Sequence, residues 1–385
     1  MSVPALSLLS GVVPNLDAKN HKQIVFIKLS PSKVVTLYHY DLPQWIQNEG
    51  GFLNPLIVKY FELYANTVFT RLGDRVKVWI TFNEPFDECI EGYGTGIGAP
   101  LIRMSGVGEY LCGHHVLLAH ATAYHLYKEK FYEDQRGMIS ITLSGRFYYP
   151  KDSTVTDDVI QRALLFGIGW FANPIYSKSG GYPQVMIDEI AARSKREDRA
   201  WSRLPEMSDE VREFIKGSAD FFGYNYYSSS LVQLNTSDFN PNAEPSWMSD
   251  SRMLFSTKPS WKRAKSTWLY SVPEGLHDAL VWFKDNYDNP TVIITENGWS
   301  DNGELQDDER IEYLKLHLAS ISKAIDDGCK VVGYTAWSII DNFEWQRGFS
   351  EHFGLFSVNR TSPNKERTAK KSAGFLHNVI KNRLV

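Results

Sequence analysis

Two glutamates stand at the ends of apolar segments of the chain. Glu84 ends the run VKVWITFNE (76–84), and Glu296 lies near the end of the run TVIITENG (291–298). A carboxylate that closes a buried segment needs a bonding partner or a chemical task, because burying an unpaired charge is costly. Either glutamate alone could be salt-bridged to a loop arginine or lysine. Two of them, each beside an asparagine, instead indicate a pair in which one carboxylate is ionised and the other protonated.

The other apolar runs end in side chains that suit a sugar ligand. They are His39 and Asp41, Asn83, Asn225 and Tyr227, Asn297, and Trp337 and Asp341. Aromatic rings can stack on the apolar face of a pyranose, while amide, imidazole and carboxylate groups bond its hydroxyls. One carboxylate can attack or stabilise the anomeric carbon, and the other can protonate the leaving oxygen, which are the requirements of glycoside hydrolysis. We expect no metal and no cofactor.

Six short segments that are apolar at nearly every position predict strands of a buried parallel sheet. They are VVTLYHYD (34–41), VKVWITFNE (76–84), MISITLSG (138–145), ADFFGYNYY (219–227), TVIITENG (291–298) and VVGYTAWSIID (331–341). Helical periodicity between them predicts helices over 55–72, from 273 to about 287, and over 307–327. The stretch 231–270 has little periodicity, and predicts a long loop.

Repeated units of a strand followed by a helix predict either a (β/α) barrel or a doubly wound sheet. The chain has neither GxGxxG nor GxxxxGK followed by serine or threonine, the turns that a doubly wound nucleotide-binding protein would carry. The barrel is therefore favoured. Catalytic groups of a barrel stand at the carboxyl ends of its strands, which is where both glutamates lie.

Five motifs in this sequence resemble those of glycoside hydrolase family 1, the family of β-glucosidases and myrosinases. They are YHYDLP (38–43), TFNEP (81–85), DFFGYNYY (220–227), ITENG (294–298) and WSIIDNFEW (337–345). They occur in the family's order from about Val34 to the end of the chain, and are most similar to insect members. The resemblance implies a (β/α)8 TIM barrel and a retaining β-glucosidase that acts through a covalent glycosyl-enzyme.

The resemblance also implies roles for nine residues of these motifs. Glu84 corresponds to the acid/base and Glu296 to the nucleophile, with carboxyl groups about 5 Å apart. The residues expected to bind substrate are His39, Asn83, Asn225, Tyr227, Trp337, Glu344 and Trp345. Tyr227 is also expected to hydrogen-bond Glu296. A carboxylate at Glu344 would repel a 6-phosphate group, so a neutral glycoside is expected.

The beginning of the chain departs from the family pattern. Only 33 residues precede Val34, and neither of the first two strand motifs of the family occurs among them. We therefore expect an atypical segment over 1–33, with 24–29 as a candidate substitute strand, and one incomplete barrel domain over 34–385. Lost strands would expose sheet edges and remove substrate contacts. The alternative function is consequently a catalytically impaired remnant that binds sugar.

A thioglucosidase, or myrosinase, is the other alternative. Its sulfated substrate needs a basic group, but Ile90 and Glu91 follow the TFNEP motif. Such a group could come from the loop that carries Lys258, Lys262 and Arg263. A second departure from the family is Tyr40, which stands where its members usually have tryptophan.

Composition limits the expected partners. The net charge is −4, the pI is near 6.2, and no segment contains five like charges, so neither nucleic acid nor an anionic membrane is an expected partner. A small β-glucoside or short oligosaccharide is expected instead. The family suggests secretion, although the first residues make a poor signal peptide. Three cysteines without CxxC spacing predict neither a disulfide framework nor a zinc site.

Overall fold

The computed structural model describes residues 8–9, 33–237, 240 and 243–382. Most of the predicted atypical segment 1–33, including the candidate strand at 24–29, lies outside these residues. None of the described helices combines the length and the apolar character that crossing a bilayer requires.

Helices and strands alternate along most of the described chain. The strands are β1 (Leu8–Leu9), β2 (Lys33–Tyr38), β3 (Val76–Asn83), β4 (Met138–Ser144), β5 (Tyr148–Pro150), β6 (Phe222–Asn225), β7 (Ser230–Leu234), β8 (Met253–Ser256), β9 (Val292–Glu296), β10 (Val331–Tyr334), β11 (Phe356–Val358) and β12 (Arg367–Ala369). The α-helices are α1 (Gln44–Asn48), α2 (Leu56–Leu72), α3 (Pro85–Asp87), α4 (Gly108–Lys130), α5 (Tyr132–Gln135), α6 (Asp157–Phe166), α7 (Gly169–Tyr176), α8 (Gln184–Arg196), α9 (Asp209–Ile215), α10 (Trp247–Ser251), α11 (Pro273–Asn286), α12 (Asp308–Asp326) and α13 (Lys371–Asn382). Two 3₁₀ helices (Gly51–Leu53 and Trp345–Arg347) and a π-helix (Glu88–Thr95) complete the set.

The six predicted strands are confirmed as β2, β3, β4, β6, β9 and β10. The three predicted helices are confirmed as α2, α11 and α12, each within one residue of the expected bounds. Pro273 occupies the first turn of α11, where its missing N–H costs nothing. Gly328 follows α12 with φ +89°, a backbone conformation that glycine adopts without steric cost.

The described residues fall into two compact units. The first contains 8–9, 33–223 and the described part of 231–256, and the second contains 224–230 and 257–382. The expectation of a single domain over 34–385 stays a prediction.

Parallel strands form the sheet of the first unit. β1 pairs antiparallel with β2, and β2, β3 and β4 follow one another as parallel neighbours. Helix α2 packs on this sheet through two aromatic side chains. Phe61 stacks on Phe82 with ring centroids 4.2 Å apart, and Phe69 meets Trp79 edge to face at 5.1 Å. The carboxyl ends of three strands therefore share one edge, held by an aromatic core.

The second unit contains the parallel pair of β9 and β10 and the antiparallel hairpin of β11 and β12. The helices α11 and α12 bury apolar faces that include Leu280, Phe283, Leu314 and Leu318. These faces account for the periodicity that the sequence shows.

A buried ion cluster lies beside α12 in the second unit, and consists of Asp301, Asp307, Arg310, Asp341 and Lys370. Arg310 Nε donates to Asp307 Oδ2 at 2.9 Å, and its Nη2 pairs with Asp301 Oδ2. Lys370 Nζ lies 3.1 Å from Asp341 Oδ1 and 3.5 Å from Asp301 Oδ1. The cluster thus ties the segments after β9 and β10 to the starts of α12 and α13.

The predicted long loop over 231–270 is wrong in its first part. β7 and β8 pair antiparallel there, with Val232 opposite Phe255, and α10 lies between them. The indole of Trp247 is buried and donates from Nε1 to the Phe166 carbonyl at 3.0 Å. β7 and β8 are short and lie in a segment rich in asparagine, serine and proline, so their few apolar residues did not stand out from a loop.

The cysteine expectation is also wrong, because Cys89 and Cys112 form a disulfide bond. Cys89 lies in the π-helix and Cys112 in the first turns of α4. Their Cα atoms are 5.5 Å apart although 23 positions separate them in sequence. Helix packing creates this pair, so no short spacing motif could announce it. Cys329 is a buried free thiol.

Candidate active site

His39 and Asn83 meet at the carboxyl ends of β2 and β3. Asn83 Nδ2 donates to His39 Nε2 at 3.2 Å, so this ring nitrogen acts as an acceptor and carries no proton. Burial lowers the pKa of His39 to about 4. The imidazole is therefore neutral near pH 7, and can serve as a hydrogen-bonding group rather than as a cation.

Glu84 directly follows β3, with its backbone in the left-handed region at φ +45°. This conformation costs a non-glycine residue about 1–3 kcal/mol, and it persists where surrounding contacts impose it. Three hydrogen bonds do so here. The Glu84 amide donates to the Thr142 carbonyl at 2.9 Å, while the Glu84 carbonyl accepts from the Glu88 amide at 3.2 Å and from the Tyr40 hydroxyl at 3.0 Å.

Glu88 is a buried carboxylic acid one helical turn beyond Glu84. Tyr38 donates its hydroxyl to Glu88 Oε1 at 2.8 Å. Burial raises the pKa of Glu88 to about 8, and the negative charges of Asp41 and Glu91 add to this shift. The side chain is therefore mostly protonated at pH 7, which allows a carboxyl group to remain in an apolar environment.

Glu88→Gln is expected to flatten the pH dependence of stability. Between about pH 4.5 and 8 the folded chain holds a proton on Glu88 that the unfolded chain has lost, so the free energy of unfolding falls as the pH rises. This one proton contributes a slope of up to about 1.4 kcal/mol per pH unit. Thermal melts of the parent and the variant from pH 5 to 8 measure the slope. Glu129→Gln, which changes an exposed carboxylate of α4, should keep it, and equal slopes in parent and Glu88→Gln would contradict the pKa shift.

Glu296 is the last residue of β9 and is 8% exposed. Tyr227 donates its hydroxyl to Glu296 Oε2 at 2.7 Å, as the resemblance implied. The Glu296 carbonyl also accepts from the Tyr226 amide at 3.0 Å. A hydrogen bond to a carboxylate is charge-assisted, so this contact stabilises the ionised form and fixes its orientation.

Asn297, the residue after Glu296, supports this arrangement through hydrogen bonds of its side chain, a role that the sequence did not reveal. Its Nδ2 donates to the Tyr226 carbonyl at 2.7 Å, and its Oδ1 accepts from the Tyr334 hydroxyl at 2.9 Å. Tyr313 of α12 donates to the Tyr227 carbonyl at 2.8 Å. The ITENG motif includes Asn297 and was the available signal. Tyr313 and Tyr334 lie outside this motif in sequence, and no local pattern identifies them as its partners.

Asn225 is buried at the end of β6, where its Oδ1 accepts from the Thr295 hydroxyl at 2.6 Å. This contact aligns Asn225 with the strand that carries Glu296. Its expected part in substrate binding stays a prediction.

Trp337 follows β10 and lies close to the ITENG motif. Its amide donates to the Asn297 carbonyl at 2.8 Å. A Cβ atom on Gly298 would lie 2.0 Å from the Trp337 carbonyl oxygen, so only glycine permits this approach. The Trp337 indole donates from Nε1 to Glu344 Oε1 at 3.3 Å. Trp337 and Glu344, which are both expected to bind the sugar, are therefore in direct contact.

Glu344 has a pKa raised to about 7, because burial outweighs the hydrogen bonds from Trp337 and Asn342. The carboxyl group can accordingly donate as well as accept hydrogen bonds near neutral pH. The Coulomb argument against a 6-phosphate applies above that pH. The neighbouring Trp345 is 48% exposed.

The carboxylate of Asp341 contacts the protein's own backbone and a lysine. Its Oδ1 accepts from the Gly354 amide at 2.9 Å and lies 3.1 Å from Lys370 Nζ. It therefore belongs to the buried ion cluster.

Most of the sequence-predicted residues thus fall into two groups, one in each unit. Within the first unit the structure brings together His39, Asn83 and the backbone of Glu84 through Tyr40. Within the second it brings together Tyr227 with Glu296, and Trp337 with Glu344. Each group contains one of the two carboxylates that glycoside hydrolysis requires.

Known proteins are similar to this chain in sequence and in fold. Myrosinase 1 of Brevicoryne brassicae is 43% identical over 380 residues, which cover 96% of this chain and 80% of that protein. The solved structure of aphid myrosinase matches with a TM-score of 0.84 and 43% identity, covering 90% of this chain and 74% of that one. A rice β-glucosidase variant in a covalent complex with Glc matches with a TM-score of 0.82 and 34% identity, covering 88% and 74%.

These matches confirm the predicted fold class, an α/β TIM barrel of the glycoside hydrolase family 1 type. The sequence model of Glycosyl hydrolase family 1 matches residues 27–384, nearly the whole chain. This chain belongs to Glycosyl hydrolase family 1, and it is a glycoside hydrolase.

Proposed function

We propose that this chain is a retaining, exo-acting β-glycosidase that removes a terminal β-D-glucosyl residue from a small aglycone or a short oligosaccharide. The observation that carries the proposal is the Tyr227–Glu296 hydrogen bond at the end of β9. It orients the Glu296 carboxyl group and stabilises its ionised form, the form in which a carboxylate acts as a nucleophile. Glu84, at the end of β3, supplies the second carboxyl group as the acid/base.

In the first step the Glu296 carboxylate attacks the anomeric carbon while the bond to the leaving oxygen breaks. Glu84 transfers its proton to that oxygen, and the aglycone departs as a neutral alcohol or phenol. The glucosyl unit is then an ester of Glu296, with its anomeric configuration inverted. Asn83 lies next to Glu84 in sequence, and we assign it to the sugar 2-hydroxyl, whose hydrogen bond strengthens in the transition state.

In the second step Glu84, now a carboxylate, takes a proton from water as the water attacks the anomeric carbon. The ester to Glu296 breaks, glucose leaves with its original configuration, and Glu84 is protonated again. The rice β-glucosidase of the same family has been captured in a covalent complex with Glc, which supports this intermediate.

We assign three further residues to the glucose ring. Trp337 is the stacking platform, and Glu344 with Trp345 contacts the hydroxyls at the far end of the sugar. Near pH 7 the raised pKa of Glu344 allows it both to donate and to accept, which suits a neutral polyol better than an anion.

A thioglucosidase is the second candidate, because the Brevicoryne brassicae relative is named a myrosinase. A sulfated thioglucoside requires a basic group for its sulfate. Lys262 lies 2.8 Å from Glu312 and 3.3 Å from Glu309, so its charge is already balanced. This pairing weighs against Lys262 as the sulfate-binding group, and we keep the oxygen glucoside as the expected substrate.

The test is hydrolysis of 4-nitrophenyl β-D-glucoside by the purified chain, beside the galactoside, the fucoside and a sulfated thioglucoside. We expect the glucoside to give the highest kcat/KM, and β-glucose to be the first anomer seen by ¹H NMR. A first product with the α configuration would contradict retention, and a higher kcat/KM for the thioglucoside would favour the second candidate. If the folded chain is no faster than Glu84→Gln on every substrate, the sugar-binding remnant is the better description.

A further inference from the structure

We propose that Tyr40 is a positioning residue that aims the carboxyl group of Glu84 at the leaving oxygen and stabilises the carboxylate that forms when Glu84 has given up its proton. This inference rests on the proposed function, because it takes Glu84 to be the acid/base. It adds a residue for which the sequence analysis gave no role.

The geometry concerns one hydroxyl and two oxygens of the same residue. The Tyr40 hydroxyl lies 3.0 Å from the Glu84 carbonyl oxygen and 3.4 Å from Glu84 Oε2. Both residues follow strands, and both have left-handed backbones, with φ of +65° for Tyr40 and +45° for Glu84. The Tyr40 ring packs edge to face on His39, with centroids 5.3 Å apart.

The bond to the carbonyl positions Glu84. Of the three backbone contacts that hold Glu84 in its left-handed conformation, the Tyr40 hydroxyl supplies the one that comes from a side chain. Removing it would let the residue relax, and acid catalysis is sensitive to displacements of about 1 Å. The expected damage is therefore to proton transfer.

The second acceptor gives Tyr40 a task during the reaction. A hydroxyl has one proton, which can point to either of two nearby acceptors. While Glu84 is protonated, the carbonyl oxygen is the better acceptor at 3.0 Å. Once Glu84 has protonated the leaving group, Oε2 shares a negative charge, and the Tyr40 proton gains a charge-assisted bond by turning to it.

The experiment compares Tyr40→Phe with the parent on two aryl β-D-glucosides. Loss of phenol needs a proton from Glu84, whereas 2,4-dinitrophenolate departs without one. We expect Tyr40→Phe to lower kcat/KM about tenfold or more for phenyl β-D-glucoside, and less than about twofold for the dinitrophenyl substrate. The ratio of the two values does not depend on the concentration of correctly folded enzyme, so partial misfolding cannot imitate the effect.

Tyr64→Phe is the matched control. Tyr64 also donates its hydroxyl to a backbone carbonyl of this sheet, that of Leu37 at 2.9 Å, and we give it no part in the reaction. Its ratio should equal that of the parent. A Tyr40→Phe ratio within twofold of the parent would overturn the inference, since a merely structural tyrosine would affect both substrates alike.

Glu84→Gln distinguishes a failure of the Tyr40 inference from a failure of the proposed function. If it loses phenyl glucosidase activity far more than dinitrophenyl glucosidase activity, the assignment of the acid/base holds. An unchanged ratio in Tyr40→Phe would then overturn this inference alone. If Glu84→Gln itself shows no dependence on the leaving group, the proposed function fails, and the role of Tyr40 fails with it.

Discussion

Glu296→Ala is expected to lower kcat for an aryl β-D-glucoside by at least about 10⁴-fold, because no carboxylate remains to form the ester with the anomeric carbon. Sodium azide should restore product formation. The small anion can occupy the space that the side chain leaves and attack the sugar from that face. The product should therefore be α-glucosyl azide, which ¹H NMR identifies by its anomeric coupling.

Glu84→Ala should give the opposite anomer. The ester to Glu296 still forms, although a phenol leaves about 10²–10⁴-fold more slowly without a proton donor. Azide then enters from the other face of the sugar and displaces Glu296. The expected product is β-glucosyl azide. The pair of variants thus assigns each carboxylate to one face of the substrate.

Glu129→Gln on the exposed side of α4 is the control, and should keep the parent's kcat. The assignment would be wrong if both alanine variants gave the same azide anomer. It would also be wrong if Glu296→Ala kept a rate within tenfold of the parent. Exchanged anomers would mean that the roles of Glu84 and Glu296 are reversed.

Arg310→Met is expected to have the largest effect on stability, a loss of about 3–5 kcal/mol in the free energy of unfolding. Arg310 is 1% exposed and donates to Asp307, to Asp301 and to the carbonyls of His352 and Phe353. Methionine fills much of the same space but leaves two buried carboxylates without this cation. Urea unfolding, followed by tryptophan fluorescence, measures the change.

Lys262→Met tests whether the expected loss of stability in Arg310→Met comes from the burial of the ion pairs. Lys262 pairs with Glu309 and Glu312 of α12, the helix that also carries Arg310. The Lys262 side chain is 45% exposed, however, and exposed ion pairs contribute at most about 1 kcal/mol. We expect the urea unfolding midpoint of Lys262→Met to stay near that of the parent. Equal losses in Lys262→Met and Arg310→Met would refute the special role of the buried ion cluster.

The strands of the site could be predicted from sequence because their signal is local. β3 and β9 are mostly apolar, and a glutamate marks the carboxyl end of each: Glu84 directly follows β3, and Glu296 is the last residue of β9. A carboxylate in that place is conspicuous whatever surrounds it. The Tyr227–Glu296 hydrogen bond was available from the family resemblance, and the structure contains it.

The remaining parts of the site depend on residues that meet only in the folded chain. Asn297 contacts tyrosines 16 and 37 positions away, and the Tyr40 hydroxyl reaches across 44 positions to Glu84. The raised pKa values of Glu88 and Glu344 come from burial, which depends on tertiary packing. A sequence pattern records which residues are apolar, but not which distant groups will surround a particular side chain.

The Cys89–Cys112 bond means that the amino-acid sequence does not by itself define the covalent molecule. It closes a ring of backbone that begins five residues after Glu84 and joins the π-helix to α4. Chains matured under reducing and oxidising conditions would have the same composition and different connectivity. The choice of expression compartment, and of a thiol in the assay buffer, therefore selects which of two chemical species the kinetic constants describe.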